Sequence, residues 1–334
     1  MRPTAPSRPR PAPQRRGAPP LPAVDGFTEV VAGVADLAPW EAAADVLGWA
    51  VRQRGVAEAG ELAFWGVDGA AETLTVGNPG ADRGTLRLVR FRTPGPEVRP
   101  DADAWDTGGL FDANVRVRDL DAVLAGLGGL GWRPVTAPVR FVFGPFTVRE
   151  ALVRGPDGVV LALVEREAPP LEGWPHLRVA SRLFNSTQTV RSLDAALAFY
   201  QGVLGFQTYL AHDGPSPPPG ANVLGLDAET AQRVVRRVRI VHPAARNDGS
   251  VELIEFVGHP GRDLATRAAR PGRGLLALRF PCGDVAALAE RLAEAGHPPV
   301  AGPANVGGRP ALAVHAPDGA RLEFFQRPPA ARAR

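Results

Sequence analysis

Apolar and polar positions along this chain follow a phrase that returns four times: an apolar strand, an acidic or Ser cap, a stretch with helical period, a glycine and another strand. The copies begin at Val34 (VADLAPWEAAADVLGW), Val117 (VRDLDAVLAGLGGLGW), Val190 (VRSLDAALAFYQGVLGF) and Cys282 (CGDVAALAERLAEAGH). In the third copy, Leu193, Leu197, Phe199, Tyr200, Val203 and Leu204 recur at helical spacing. Ser192 precedes them as an N-cap, and Asp194 stands at the positive end of the helix dipole. Each predicted helix closes on a glycine (Gly48, Gly131, Gly205, Gly296), the residue that takes a left-handed conformation without steric cost.

Strands are predicted after each helix. In the third unit they cover 206–211 (FQTYLA), Ala221–Leu226, Val234–His242 and Ser250–Val257, with a proline-rich loop after the first. The second unit repeats the order: a strand over DANVRVR, Asp119 as cap, then strands near Arg133–Val135, Thr147–Arg154 and Val159–Glu165, the last two joined by a GPDG turn. The fourth has the matching APDG turn before ARLEFFQ. The first is the most degenerate, with Pro39 in the first helical turn, where proline is tolerated, and later strands over LAFWGV (62–67), ETLTVG and TLRLVRF. Such self-similarity indicates two domains of two units each. The expected division is a Pro/Arg-rich, disordered tail (1–25), an N-terminal domain (26–167), a linker (168–176), a C-terminal domain (177–328) and a short tail (329–334).

Composition narrows the chemistry. A chain of 334 residues suits two domains. The single cysteine, Cys282, excludes an intramolecular disulfide and multi-cysteine metal sites. There is no lysine, which removes Schiff-base chemistry and the P-loop lysine. A formal charge of +3 gives little reason to expect nucleic acid. Arg15–Arg16 precede no apolar run, and no stretch reaches the length of a membrane-spanning helix. The expectation is a cytoplasmic protein, monomer or homodimer, with a small-molecule ligand, no nucleotide cofactor, and neither a nucleic-acid nor a membrane partner.

Paired strand–helix–three-strand modules, with "DLDA" opening a helix, "FYQGVLGF" closing one and "PDG" entering the last strand, resemble the vicinal oxygen chelate superfamily. This is the family of glyoxalase I, extradiol dioxygenases, methylmalonyl-CoA epimerase and the bleomycin and fosfomycin resistance proteins. The resemblance covers Phe27 to Arg327 and implies an α+β fold of four βαβββ modules paired into two incomplete β-barrels, each around a cavity. Members with a metal take ligands from the first and last strands of modules. Carried onto this chain, those positions fall on Asn185, Glu252 and Glu323 in the C-terminal half, without a histidine, and near Ala277 in the fourth unit's first strand. In the N-terminal half they fall on Glu29, Asp112 and Ala162.

The resemblance therefore implies a glyoxalase-like lyase or isomerase acting on a small oxygenated metabolite. A divalent cation (Mg, Mn, Fe, Zn or Ni) would be held by Asn185, Glu252 and Glu323, with Glu252 or Glu323 moving the proton. The alternatives are a metal-free binding or drug-sequestering protein, and third a ring-cleaving dioxygenase with atypical ligands. His242, at the end of an apolar strand, and His212, at the start of the proline-rich loop, are off-pattern candidates for a ligand or base.

Overall fold

The computed structural model describes residues 23–215 and 222–328. Most of the expected N-terminal tail, the Arg15–Arg16 pair and the tail 329–334 lie outside the described residues; Val24 already pairs with Cys282.

Module one contains β1 (Glu29–Gly33), α1 (Ala38–Val46), β2 (Ala50–Val56), α2 (Ala59–Trp65), β3 (Ala71–Gly77) and β4 (Thr85–Phe91). Module two contains β5 (Asp112–Val117), α3 (Leu120–Gly129), β6 (Arg133–Pro134), β7 (Val139–Phe143), β8 (Phe146–Arg154) and β9 (Val160–Ala168). Module three runs β10 (Ala180–Thr189), α4 (Leu193–Leu197) prolonged as a π-helix over Ala198–Val203, β11 (Gln207–Gly214), α5 (Ala228–Arg233), β12 (Val235–His242) and β13 (Ser250–Val257). Module four runs β14 (Gly274–Cys282), α6 (Val285–Glu294), β15 (Ala301–Val306), β16 (Arg309–His315) and β17 (Arg321–Gln326).

The repeated caps form as their chemistry requires. Asp119, Ser192 and Asp284 each accept a hydrogen bond from the amide three residues on, at 2.9, 3.3 and 3.0 Å. Gly48, Gly131, Gly205 and Gly296 all take positive φ, between 64° and 85°. Two expected strands are absent. Residues 62–67 lie at the end of α2 and just past it, between extended Glu58 and left-handed Gly66, because a short apolar run reads equally as strand or buried helix. Of Ala221–Leu226, the described residues 222–226 form a turn closed by the Asn222 side chain on both backbone groups of Leu226, followed by α5. The strand before α2 is β2, an edge strand exposed almost throughout, which gave no apolar alternation to read.

The strands form two open sheets, in the orders β15-β16-β17-β14-β1-β4-β3-β2 and β11-β12-β13-β10-β5-β9-β8-β6, with β7 on β8. Module one thus pairs with module four, and module two with module three. The sheets do not follow the expected division into 26–167 and 177–328; each takes one module from either side of the linker. The joints are antiparallel, β1 on β14 (Glu29 opposite Arg279) and β5 on β10 (Asn114 opposite Asn185). First strands such as β5 are buried on both faces, so their composition fits any neighbouring strand and specifies no particular partner.

The two modules of each expected half do meet, through their helices. Trp40 of α1 packs edge-on to Trp132 beyond α3, with centroids 5.4 Å apart, and Phe199 of the π-helix packs on His297 beyond α6 at 4.9 Å. One continuous apolar core draws on all four modules. No helix among the described residues is long and apolar enough to cross a membrane.

Candidate functional site: a charged cavity in the sheet of modules two and three

The concave side of the β5/β10 sheet encloses a cavity of about 140 Å³. Strand alternation selects what faces it: positions 112, 114 and 116 of β5, 150 of β8, 166 of β9, 185 and 187 of β10, 236 of β12 and 252 of β13. Apolar walls come from Phe141, Phe146, Val148, Phe184, Val238 and Ile254. The opposite side chains of β5 (Ala113, Val115, Val117) enter the shared core, so one strand serves two environments.

The floor is a connected polar network. Asn114 Nδ2 donates to Asp112 Oδ1 and to Asn185 Oδ1, both at 2.9 Å, and the Thr187 amide donates to Asp112 at 3.2 Å. Asn185 Nδ2 donates in turn to Ser250 Oγ at 2.8 Å. Burial pushes the Asp112 carboxyl up to about 6 despite these donors. Burial pushes Glu252 up to about 8, with the Asp112 charge adding to the shift and Arg236 opposing it. Glu150 rises to about 8 for the same first reason, with Glu252 and Asp112 adding and Arg236 and Arg116 opposing. Both glutamates are therefore mostly protonated at neutral pH.

Three guanidiniums share this cavity: Arg116, Arg166 and Arg236. Arg116 lies over the rings of Phe184 and Trp174, at 4.3 and 5.1 Å from their centroids, and Arg166 lies over Phe146 at 3.9 Å. The Nε atoms of all three are buried without a hydrogen-bond partner. Desolvation lowers each of them, Arg116 to about 10.

The expected ligand set does not come together. Asn185 and Glu252 both line the cavity, but Glu323 lies on β17, in the other sheet. There it is wholly buried, bound by Arg270 (2.8 Å), Arg279 (2.9 Å) and Arg321 (3.0 Å). Burial alone would raise its carboxyl; Arg270, Arg279 and Arg321 outweigh burial and hold it at about 2. Arg279 also pairs with Glu29 and Glu61, which separates Glu29 from Asp112 in the same way. Trp65 lies against Arg270 and Arg279, and α2 reaches across to β15. The chain itself thus covers much of this face, with an open crevice of about 450 Å³ left between α2 and β15, lined by Phe64, Trp65 and Arg321.

A divalent cation fits neither place. Among the described residues no three His, Cys, Asp or Glu side chains converge as ligands. Both ends of the Asn185 amide are already engaged, position 162 is alanine, and three guanidiniums on the cavity lining repel a cation. Of the off-pattern histidines, His212 lines the cavity. His242 is fully buried away from it, with Nδ1 accepting from the Ala244 amide at 2.8 Å, and burial lowers it to about 4. Cys282 is buried and its thiol raised, which leaves it unreactive.

Asn114, Arg116, Glu150, Arg166 and Arg236 were not singled out from the sequence. The signal was present in DANVRVR, where Asp, Asn and Arg occupy one parity of a strand whose other parity is apolar.

Residues 182–324 match the family model of the Glyoxalase/Bleomycin resistance protein/Dioxygenase superfamily. No curated protein matches the chain by sequence. Among solved structures, glyoxalase I from Zea mays superposes with a TM-score of 0.60 at 15% identity, covering 90% of this chain and 92% of that one. A variant of the same enzyme gives 0.61 at 16% identity, with the same coverage. A putative dioxygenase from Bacillus subtilis gives 0.55 at 14% identity, covering 92% of this chain and 86% of that one. The four-module architecture is thus the glyoxalase fold over nearly the whole chain, and residues 182–324 carry the sequence pattern of the Glyoxalase/Bleomycin resistance protein/Dioxygenase superfamily.

Proposed function

We propose that this protein binds a small organic molecule, without metal, in the cavity between modules two and three. The observation that carries the reading is the contrast between the two sheets. In one sheet Trp65, α2 and the Glu323 ion-pair cluster cover the face and leave an open crevice between α2 and β15, while the other keeps a more enclosed cavity with apolar walls and unpartnered arginine Nε atoms in its lining. A void of this size accepts a body of about one aromatic ring, and the open side leaves room for a larger molecule to project outward. The test is a thermal-shift screen of small aromatic compounds on chelator-treated protein, wild type beside Val148→Phe, which narrows the cavity. Stabilisation of the wild type that the variant loses supports the reading. Compounds that stabilise both equally, or that act only with added divalent cation, refute it.

A second reading, an enzyme of the glyoxalase type, draws on Glu150 and Glu252. Carboxyls raised to about 8 in an apolar cavity are suited to exchange protons near neutral pH, and neighbouring guanidiniums would stabilise an oxyanion formed beside them. Glu252 is then the proton-transfer group, without the cation. Incorporation of solvent deuterium into a bound carbonyl compound, lost in Glu252→Gln, would distinguish turnover from binding alone.

A further inference from the structure

Arg116 and Arg166 pose a physical problem that the fold alone does not resolve. Arg116 is 4% exposed, and after burial itself the Arg166 guanidinium lowers its tendency to hold its charge where the two face the same cavity. Elsewhere in this protein, buried guanidiniums are answered by oxygen acceptors, Arg270 and Arg279 by Glu323 and Arg99 by the Gly108, Asp103 and Asp106 carbonyls. Here, among the described residues, neither Arg116 nor Arg166 has an ion pair or a side-chain hydrogen bond. The nearby Glu150 does not fill the role, being itself mostly protonated at neutral pH. Taking a charge out of water without a partner is costly, and Arg116, with the half-buried Arg166 beside it, lacks the acceptor that would offset that cost.

The geometry indicates what fits there. Both guanidiniums lie over aromatic rings, Arg116 in the corner made by Phe184 and Trp174, whose planes stand 82° apart, and Arg166 over Phe146. Cation–π contact uses up none of the N–H donors of a guanidinium, and its fork of N–H groups can receive a carboxylate with two parallel hydrogen bonds. The lining also offers apolar walls, Phe141, Val148 and Val164, beside the polar Glu150 and Asn247. Inorganic phosphate would satisfy the charge and leave those walls against water.

We propose that Arg116 and Arg166 form a carboxylate-binding site, and that the cavity takes a small organic acid whose apolar body, an aryl or branched alkyl group, packs among Phe141, Phe146 and Phe184. This rests on the reading of the cavity as a small-molecule site and narrows it to a class of ligand.

The experiment is calorimetric titration of the wild type with acid–amide pairs of matched shape, benzoate with benzamide and phenylacetate with its amide, and with inorganic phosphate. Charge-assisted hydrogen bonds from the pair should make the acids about tenfold to a hundredfold tighter than the amides. Arg166→Gln should bring the acids down to the level of the amides, with a cooperative melt and a circular dichroism spectrum like those of the wild type showing that the variant is folded. Amides that bind the wild type as well as acids do would overturn the carboxylate site and leave the cavity reading standing. If neither acids nor amides bind, both fall. Acid binding unaffected by Arg166→Gln, or phosphate tighter than the organic acids, also overturns the proposal.

Discussion

Replacing Glu323 by alanine separates the structural account of this residue from a ligand role. The carboxylate is fully buried and answers three guanidiniums, but these are not equally dependent on it. Arg279 keeps Glu29 and Glu61, and Arg321 keeps the Phe64 carbonyl, whereas Arg270, with a side chain only 3% exposed, has no other ion-pair partner among the described residues. Removing one member of a buried pair typically costs about 3–5 kcal/mol, because the other charge stays buried. Titration gives a second route to the magnitude. A carboxyl held at about 2 against an ordinary 4.5 corresponds to about 3 kcal/mol of stability. Because the folded value is depressed, that contribution is present above pH 4.5 and is lost as pH falls towards 2. For 334 residues the unfolding entropy is about 0.7 kcal/mol per degree, so Glu323→Ala should melt about 4–7 °C below wild type at neutral pH. The gap should close on acidification, since the wild type then loses the same interaction. Thermal and urea unfolding of both proteins against pH measure this directly. A variant within about 0.5 kcal/mol of wild type at neutral pH would refute the reasoning.

Glu252→Gln should act with the opposite pH sign. Its folded value is raised from 4.5 to about 8, so its contribution is present below 4.5 and lost as pH rises through 8. The amide removes that loss and relieves Glu150, so the variant should melt above wild type in mildly alkaline buffer and match it in acid; equal melting at every pH would contradict the assignment. Added magnesium, manganese or zinc should leave the melting temperature unchanged and be retained below one equivalent after desalting, read by elemental mass spectrometry, because arginines line the cavity. Asp119→Ala should cost about 1 kcal/mol in urea unfolding through loss of the cap on α3.

Local chemistry made much of the fold legible in the sequence. Asp119, Ser192 and the four helix-closing glycines act within a few residues of themselves, so their patterns carry over to the structure unchanged. The pairing of modules did not show, because β5 and β10 are buried on both faces and their composition does not name a neighbour. That joint decides the site: it brings Asp112 beside Asn185 and Glu252, and leaves Glu323 with Glu29 in the other sheet. Position within a module identified Asn185 and Glu252 as cavity residues. The arginines were hidden for a different reason, since an arginine in a strand reads as an exposed residue unless the concave side of the sheet is known. The run LAFWGV was ambiguous in itself, and the left-handed Gly66 that ends α2 gave the relevant signal.

The most direct test of a metal-free organic-acid cavity is a crystal structure of chelator-treated protein soaked with benzoate. The account predicts the carboxylate on the N–H edges of Arg116 and Arg166, the ring among Phe141, Phe146 and Phe184, and no cation near Asn185 or Glu252. A ligand held through a metal ion at Asn185 and Glu252, or benzoate bound away from the arginine pair, would contradict it.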